Sequence, residues 1–434
     1  MDTEIPQTAI DYIHSLGRFS GKPGLHRIRA LCAALGDPQD RLQFVHIAGT
    51  NGKGSTACMI ASALRAAGLC VGLYTSPYLV QFYERIRVDG VMIPDADLTR
   101  LAERVAVACE SLALPEGESI GEFEFTTALA FLYFVEQRCD IVVLETGLGG
   151  RCDATNVVRN TEVTVITPIS RDHMAVLGDT VAEIAGEKAA IIKPASAVVC
   201  ADGQPEEARI VIQHTCEARG AIWYTGTLDY RLLRCDLDGS AFVYEGQGYT
   251  IAMPGRHQLQ NAVTTLRTVS ALRERGWDIP VEAGIRGLAR ARMPGRLERL
   301  AEQPLVLLDG AHNAAGVEAL CRAVDELLKM RRLHVVMGMV RDKEYEYCVR
   351  EMARRADVFY ACAPEADDRA VNEHTIAALA ERDCAAVYDC HTAEQALGLA
   401  LGNAAPKDCI LVCGSLFLIG EAEKILRSRQ KTAE

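Results

Sequence analysis

The run Gly49-Thr50-Asn51-Gly52-Lys53-Gly54-Ser55-Thr56 constrains this chain more than any other stretch. An apolar segment, residues 44–47, precedes it, and a helix-forming segment, residues 55–67, follows. Glycines let a backbone curl until several N–H groups face one point, and the helix that follows adds the positive end of its dipole. The pattern reads as a phosphate-binding loop on a strand–turn–helix unit. Lys53 supplies a compact cation for the β- and γ-phosphates of a nucleotide, and Ser55 or Thr56 an oxygen for magnesium. The spacing is a variant of Walker A. Ile47 stands where a first glycine is usual, and Gly54 separates the lysine from the hydroxyl.

Such a unit needs a sheet around it, and the chain is long enough to build more than one. Its 434 residues, at roughly 150 per domain, imply two or three domains. Hydrophobic residues make up 49% and charged residues 24%, the balance of a soluble globular enzyme. The net charge of −12 argues against nucleic acid as a partner, because phosphate neutralisation needs clustered Lys and Arg. An anionic substrate must then meet a site that is basic against the overall field. Residues 1–5 lack the basic-then-apolar pattern of a secretory leader. The apolar stretch 56–73 is interrupted by Arg65 and is short for a bilayer span. The expected setting is cytoplasmic, with no membrane partner. None of the 16 cysteines forms a pair with the two-residue spacing of a zinc or redox motif, so they read as reduced thiols, many of them core residues.

The fold class predicted is α/β. Short apolar runs at 44–47, 71–74, 141–144 and 163–166 have the look of central parallel strands. Residues 85–93 read as a hairpin turning at Asp89-Gly90. Helices are expected at 8–16, 25–35, 97–112, 125–136 and 180–192, and again at 257–275 and 281–290. Alternation over 229–253 suggests a small β-rich insertion at the far end of the first domain. Met293-Pro294-Gly295-Arg296 has a linker's signature. Beyond it, strands near 305–308, 333–337, 358–360, 386–388 and 409–412 alternate with helices, which suggests a smaller Rossmann-like domain. The expected boundaries are 1–292, a linker at 293–298, and 299–434.

In an open parallel sheet the carboxyl ends of the strands converge on the ligand crevice. Ser76, Glu145 and His173 follow three of the apolar runs. An oxygen, a carboxylate and an imidazole suit a magnesium ion that otherwise keeps waters and phosphate oxygens, although histidine is an unusual ligand for it and a single loop histidine is more often structural. Lys188 shares a stripe with Val181, Ile184, Ala185, Ile191 and Ile192. A buried amine tends to be neutral and nucleophilic, and reaction with carbon dioxide would give a carbamate, an acidic metal ligand. A lysine snorkelling at a helix edge explains the same pattern.

These residues together resemble the folylpolyglutamate synthase and dihydrofolate synthase family of the Mur-ligase superfamily. The likeness runs nearly end to end: HIAGTNGKGST from His46, TSPYL from Thr75, FEFTTALAF from Phe123, ETGLGGRCDATN from Glu145, DH at Asp172, GEKAAII from Gly186, MPGR from Met293, DGAHN from Asp309, GMVRDK from Gly338 and CGSLFL from Cys413. The resemblance implies a P-loop-containing, mostly parallel sheet domain that binds ATP and folate, followed by a glutamate-ligase domain. It implies that Thr50, Asn51, Gly52, Lys53, Gly54 and Ser55 hold ATP, with Asn261, Arg296 and Asp309 as further nucleotide contacts. Ser76, Glu145, His173 and carbamylated Lys188 would be the Mg2+ ligands; a monovalent cation such as K+ is a further candidate. Gly24, Leu25, Arg27, Phe123, Glu124, Phe125, Thr126, Cys152, Asp153 and Ala154 fall on the folate side. Asp309, His312 and Ser415 fall on the glutamate side. Lys53, Glu145, His173, Lys188 and His312 would carry the chemistry. The substrates implied are ATP, folate and L-glutamate, with dihydropteroate as a second acceptor of the family, and the expected state is a monomer. Tyr78, Cys152 and His26 depart from the family's usual His, Leu and acidic residue, all on the folate side.

Two other readings fit the loop alone. One is a Mur ligase acting on a cell-wall precursor, against which Gly54 and the segment Gly150 to Asn156 argue. The other is a nucleotide-dependent switch, against which the second domain's own motif at Asp309 to Asn313 argues.

Overall fold

The computed structural model of the chain describes residues 8–17, 21–224, 229–364 and 369–433; residues 1–5, read above for a leader, lie outside them. By its internal contacts the chain divides into two compact units, Met1–Asp229 with Gln260–Ala291, and Tyr230–Leu259 with Arg292–Glu434.

The first unit is built on eight strands: β1 (Phe44–Ala48), β2 (Val71–Tyr74), β3 (Ile86–Val88), β4 (Val91–Met92), β5 (Ile141–Glu145), β6 (Thr161–Ile166), β7 (Ala197–Cys200) and β8 (Ile222–Tyr224). Their order in the sheet is β4-β3-β2-β5-β1-β6-β7-β8. Neighbours from β2 to β8 run parallel, and only β3 and β4 are antiparallel. β1, β2, β5 and β6 are almost wholly buried, which is why they read as continuous apolar runs rather than alternating ones. β1 lies between β5 and β6, with Ile47 opposite Glu145 on one side and Val165 on the other. The connections leaving β1 and β5 thus pass to opposite sides of β1, and the tips of β1, β2, β5 and β6 share one edge.

The hairpin turns where expected. Asp89 (φ 51°) and Gly90 (φ 80°) both take the left-handed conformation that a tight two-residue turn requires. The helix expected from residue 125 starts earlier, as Glu122–Glu136, because Glu124 reaches back to accept from the Gly121 N–H at 3.0 Å.

The second unit carries six strands in the order β12-β13-β17-β14-β15-β16: β12 (Glu298–Glu302), β13 (Leu305–Leu308), β14 (Leu333–Met337), β15 (Val358–Ala361), β16 (Val387–Asp389) and β17 (Cys409–Cys413). All pair in parallel except β12, an edge strand antiparallel to β13. A three-stranded sheet of β9 (Tyr230–Asp236), β10 (Gly239–Tyr244) and β11 (Gln247–Ile251) belongs to this unit too. It is the β-rich segment expected at the end of the first domain. By internal contacts it groups with the second unit: Arg299 donates to Asp238 at 2.7 Å, and Leu237 packs on that unit's core. Among the described residues no helix is long and apolar enough to cross a membrane.

The helix Lys53–Ala66 that follows the glycine-rich loop is held from behind by the helix Val281–Arg290. The two approach so closely at Gly287 that a Cβ there would stand 2.3 Å from the Ala63 Cα. Ser62 Oγ donates to the Gly287 carbonyl at 2.8 Å across the same contact. Gly287→Ala should therefore destabilise the fold by about 1–3 kcal/mol through overpacking against backbone, read as a lowered urea midpoint at unchanged slope.

Candidate active site

The loop after β1 is fastened to the segment after β6. Thr50 N–H and Asn51 N–H both donate to the Pro168 carbonyl, at 2.9 and 3.3 Å. The Thr50 hydroxyl donates to Ser170 O at 3.0 Å and accepts from Ser170 N–H at 3.1 Å. Gly49 (φ 153°) passes Thr167 so tightly that a Cβ would fall 1.8 Å from its hydroxyl oxygen. Gly52 (φ 85°) is the N-cap of the helix Lys53–Ala66, and a Cβ there would meet Asn261 Oδ1 at 2.5 Å. Asn261, from the helix His257–Glu274, therefore stands against the loop as the resemblance implied. The backbone amides of Thr50 and Asn51 thus bond to protein in this structure. The amides that precede the first intrahelical bond, Thr56 N–H to Gly52 O, are those of Gly52, Lys53, Gly54 and Ser55. Lys53 Nζ folds back over the loop, 3.4 Å from Thr50 O.

Glu145 ends β5 beside this loop and is 4% exposed; its carboxylate accepts from Ser76 N–H, at the tip of β2, at 3.3 Å. Lys188, also 4% exposed, lies on the helix Val181–Ala189 and donates from Nζ to Gly49 O at 2.7 Å. The snorkelling alternative is thereby excluded: the amine points inward, to the start of the phosphate loop. His173 follows β6 in a left-handed conformation (φ 50°), and its N–H donates to the Asp172 carboxylate at 2.8 Å.

No group of three or more His, Cys, Asp or Glu side chains among the described residues is arranged to hold a metal. The hydroxyls of Thr56, Thr146 and Ser170 are buried without a hydrogen-bond partner among the described residues, on the segments that follow β1, β5 and β6. Hydroxyl and carboxylate oxygens are the donor chemistry a hard cation takes, alongside phosphate and water.

The loop after β5 is clasped at both ends by Asp153. Its carboxylate accepts from Leu148 N–H at 2.8 Å, Thr155 N–H at 3.0 Å and the Thr155 hydroxyl. Burial raises the carboxyl's pKa, opposed by these bonds. Asn156 donates to Arg151 O, and Lys193 Nζ donates to Asn156 O and Oδ1 at 2.9 and 2.7 Å. Ala154 is buried, and Cys152 is exposed at the loop's tip. The tip of the Phe123 ring abuts Gly147, where a Cβ would meet it at 2.6 Å.

The remaining folate-side candidates are divided. Arg27 and Glu124 pair with each other, the Arg27 Nε at 3.1 Å from both carboxylate oxygens, and both are buried. Phe125 is in the core with its ring on Tyr12, and the buried Thr126 hydroxyl donates to Glu122 O. Of that stretch only Phe123 keeps partial exposure alongside Glu122. Leu25 is the N-cap of the helix His26–Ala34, and Gly24 abuts the His26 ring. A further cluster had no sequence signal. The Arg85 guanidinium lies 5.3 Å from the Tyr78 ring and 5.5 Å from that of Phe82, and it donates to Glu122 at 3.3 Å; His14 faces the same carboxylate at 3.4 Å.

In the second unit Asp309 follows β13 and accepts from Leu297 N–H and Ala311 N–H, both at 2.9 Å. Burial raises its pKa and Arg296 lowers it. The Arg296 guanidinium covers Gly310, where a Cβ would meet it at 2.6 Å. His312 Nδ1 donates to Gly310 O at 2.8 Å, so in the neutral ring Nε2 is the acceptor. Ser415 follows β17 and accepts from Phe417 N–H at 3.2 Å, while Gly414 N–H donates to Ala311 O at 3.0 Å. Asp309, His312 and Ser415 thus gather at the joined tips of β13 and β17.

Two known domains match the chain. Residues 47–269 match the Mur ligase middle domain and residues 295–416 the Mur ligase glutamate ligase domain. The dihydrofolate synthase/folylpolyglutamate synthase of Bacillus subtilis is 41% identical over 360 residues, 80% of this chain and 82% of its own. The chain belongs to the folylpolyglutamate synthase/dihydrofolate synthase family of Mur ligases. Solved members of the family superpose over nearly the whole length. Escherichia coli FolC in complex with DHPP and ADP does so with a TM-score of 0.84 at 30% identity, covering 97% of each chain. Mycobacterium tuberculosis folylpolyglutamate synthase complexed with ADP gives a TM-score of 0.87 at 30% identity, covering 96% of this chain and 97% of that one.

The Lys193 contact makes a prediction about stability. Burial, followed by the charges of Arg219, Arg29 and Arg159, lowers its pKa to about 8. The unfolded chain binds that proton up to its ordinary pKa near 10.4, so between the two values it binds more protons than the folded one. This group's contribution should make stability rise with pH from about 8 to 10.5 and stay flat below. Lys193→Met should remove a rise on the order of 1–3 kcal/mol, measured by urea unfolding across that range.

Proposed function

We propose that the chain is an ATP-dependent ligase that joins L-glutamate to the γ-carboxylate of tetrahydrofolate, extending folylpolyglutamates, and to dihydropteroate, giving dihydrofolate. It would work in the cytoplasm as a monomer, with Mg2+ and a monovalent cation such as K+. The observation that carries the reading is the convergence of Lys53, inward-pointing Lys188 and buried Glu145 on one glycine-rich loop, in a chain that carries both Mur ligase domains. The second acceptor is supported by the double activity in the name of the Bacillus subtilis relative and by the DHPP bound in the Escherichia coli structure.

The chemistry asks for positioning rather than a protein nucleophile. The amides of Gly52 to Ser55 and the Lys53 ammonium hold the triphosphate, with Thr50 and Asn51 shaping the loop from behind. The acceptor's carboxylate oxygen attacks the γ-phosphorus in line, and the bond from that phosphorus to the ADP oxygen breaks. The amine of glutamate then attacks the carbon of the acyl phosphate, the carbon–oxygen bond to phosphate breaks, and the nitrogen loses its proton. In the second unit Asp309 and Ser415 would hold glutamate, and His312 Nε2 is the acceptor suited to take that proton. Arg296 would meet the nucleotide. Ser76, Glu145, His173 and a carbamylated Lys188 would hold Mg2+, which when bound neutralises charge on the β- and γ-phosphate oxygens. On the acceptor side Phe123, Cys152 and the loop closed by Asp153 offer exposed surface, while Arg27 with Glu124, and Phe125 with Thr126, act as its support.

Lys53→Met should lower kcat by about 10²–10³-fold without loss of folded protein, measured as product formation from ATP, glutamate and tetrahydrofolate. Undiminished amide synthesis would overturn the reading. Hydroxylamine added during turnover should capture the activated acceptor as its hydroxamate, detected by mass; a complete absence of hydroxamate would argue for another chemistry.

A further inference from the structure

One polar side chain in the first unit is used by neither the nucleotide nor the acceptor site as described. His46 sits in the middle of β1, fully buried, between Val45 and Ile47. Phe44 and Ala48, which share its face of the strand, are both apolar core residues. Its Nε2 lies 2.9 Å from Thr155 Oγ1, and the Thr155 hydroxyl donates to Asp153 Oδ1. The hydroxyl's single proton is thereby committed, so His46 must carry its proton on Nε2 and donate. That leaves Nδ1 as a buried acceptor with no partner among the described residues. Burial, with the charge of Lys193, drives the ring's pKa well below its ordinary value, so it stays neutral.

An imidazole that makes one hydrogen bond and leaves its other nitrogen unpaired is a poor way to stabilise a core. A leucine would fill the space with no polar atom to bury. What the imidazole does provide is direction. The line His46 Nε2–H to Thr155 Oγ–H to the Asp153 carboxylate runs from the strand that feeds the phosphate loop into the clasp of the next strand's loop. Asp153 passes it on to the amides of Leu148 and Thr155, which close that loop.

We propose that His46 is a positioning residue for the acceptor substrate: through Thr155 it orients the Asp153 carboxylate and so fixes the loop from Gly147 to Asp153. The link to the acceptor rests on the reading of that loop as a folate contact; the positioning itself does not.

The test uses the full-length protein and four variants. Gln places a donor close to the imidazole Nε2 position, and Leu keeps bulk without a donor. His46→Leu should leave the melting temperature equal or higher, yet speed hydrogen exchange at the Leu148 and Thr155 amides about tenfold. It should raise KM for the folate acceptor about tenfold, with KM for ATP and kcat changed less than about twofold. His46→Gln should restore both. Thr155→Val should mimic His46→Leu, and Thr155→Ser should behave as the parent, a comparison that stands even if His46→Leu does not fold. Unchanged exchange at those two amides in His46→Leu and Thr155→Val, or a Gln variant no better than Leu, overturns the proposal. Faster exchange with an unchanged KM for the acceptor would uphold the positioning and overturn the assignment of this loop to folate.

Discussion

Everything in the first unit depends on how closely β1 and β6 deliver their connecting segments to one another. Gly49 can pass Thr167 only because it has no side chain, and the Pro168 carbonyl then collects two successive amides from the loop. Those bonds turn the loop's direction before Gly52 opens the helix. The Lys188 amine meets the loop at the same glycine. A loop held this way spends none of a ligand's binding energy on being ordered, which is the condition for electrostatic stabilisation of a transferring phosphoryl group. The parallel register of β1 with β5 brings Glu145 alongside Ile47 and completes the arrangement.

A similar device recurs in the second unit with different residues. Asp309 ties Leu297 to Ala311 much as Asp153 ties Leu148 to Thr155. In each case a buried carboxylate near the tip of a strand bonds to two backbone amides that lie apart in the chain. Both groups suffer burial, and both are offset by donors that cannot move away. These two carboxylates are therefore each held in one orientation. They shape the surface a ligand would meet.

Much of this was legible in the sequence, for identifiable reasons. The central strands are apolar on both faces, so their runs are unbroken, and Asp89-Gly90 announces its turn. Lys188 stood out because a cation interrupted an apolar stripe, and the structure shows the amine turned inward. Three things were hidden. β12 is Glu298–Glu302, charged and at an edge, and it forms because β13 offers it partners rather than by any pattern of its own. The three-stranded sheet's allegiance rests on long-range contacts that no local pattern carries. How Arg27, Glu124 and Phe125 are placed was hidden because a motif names residues without saying which way they face; two of them bond to each other, and the third is core. His14, Arg85 and Thr155 gave no signal because their partners are distant in the chain.

Of the sixteen thiols, fifteen are wholly or partly sheltered, and Cys152 alone is exposed. It stands at the tip of a loop whose base is locked by Asp153 and Asn156. A chromophore attached there would have a rigid footing and a solvent-facing head. The protein thus comes with one fully exposed natural anchoring point for an optical reporter, on the loop read as an acceptor contact, and only the partly exposed Cys58, Cys70, Cys109 and Cys235 compete with it.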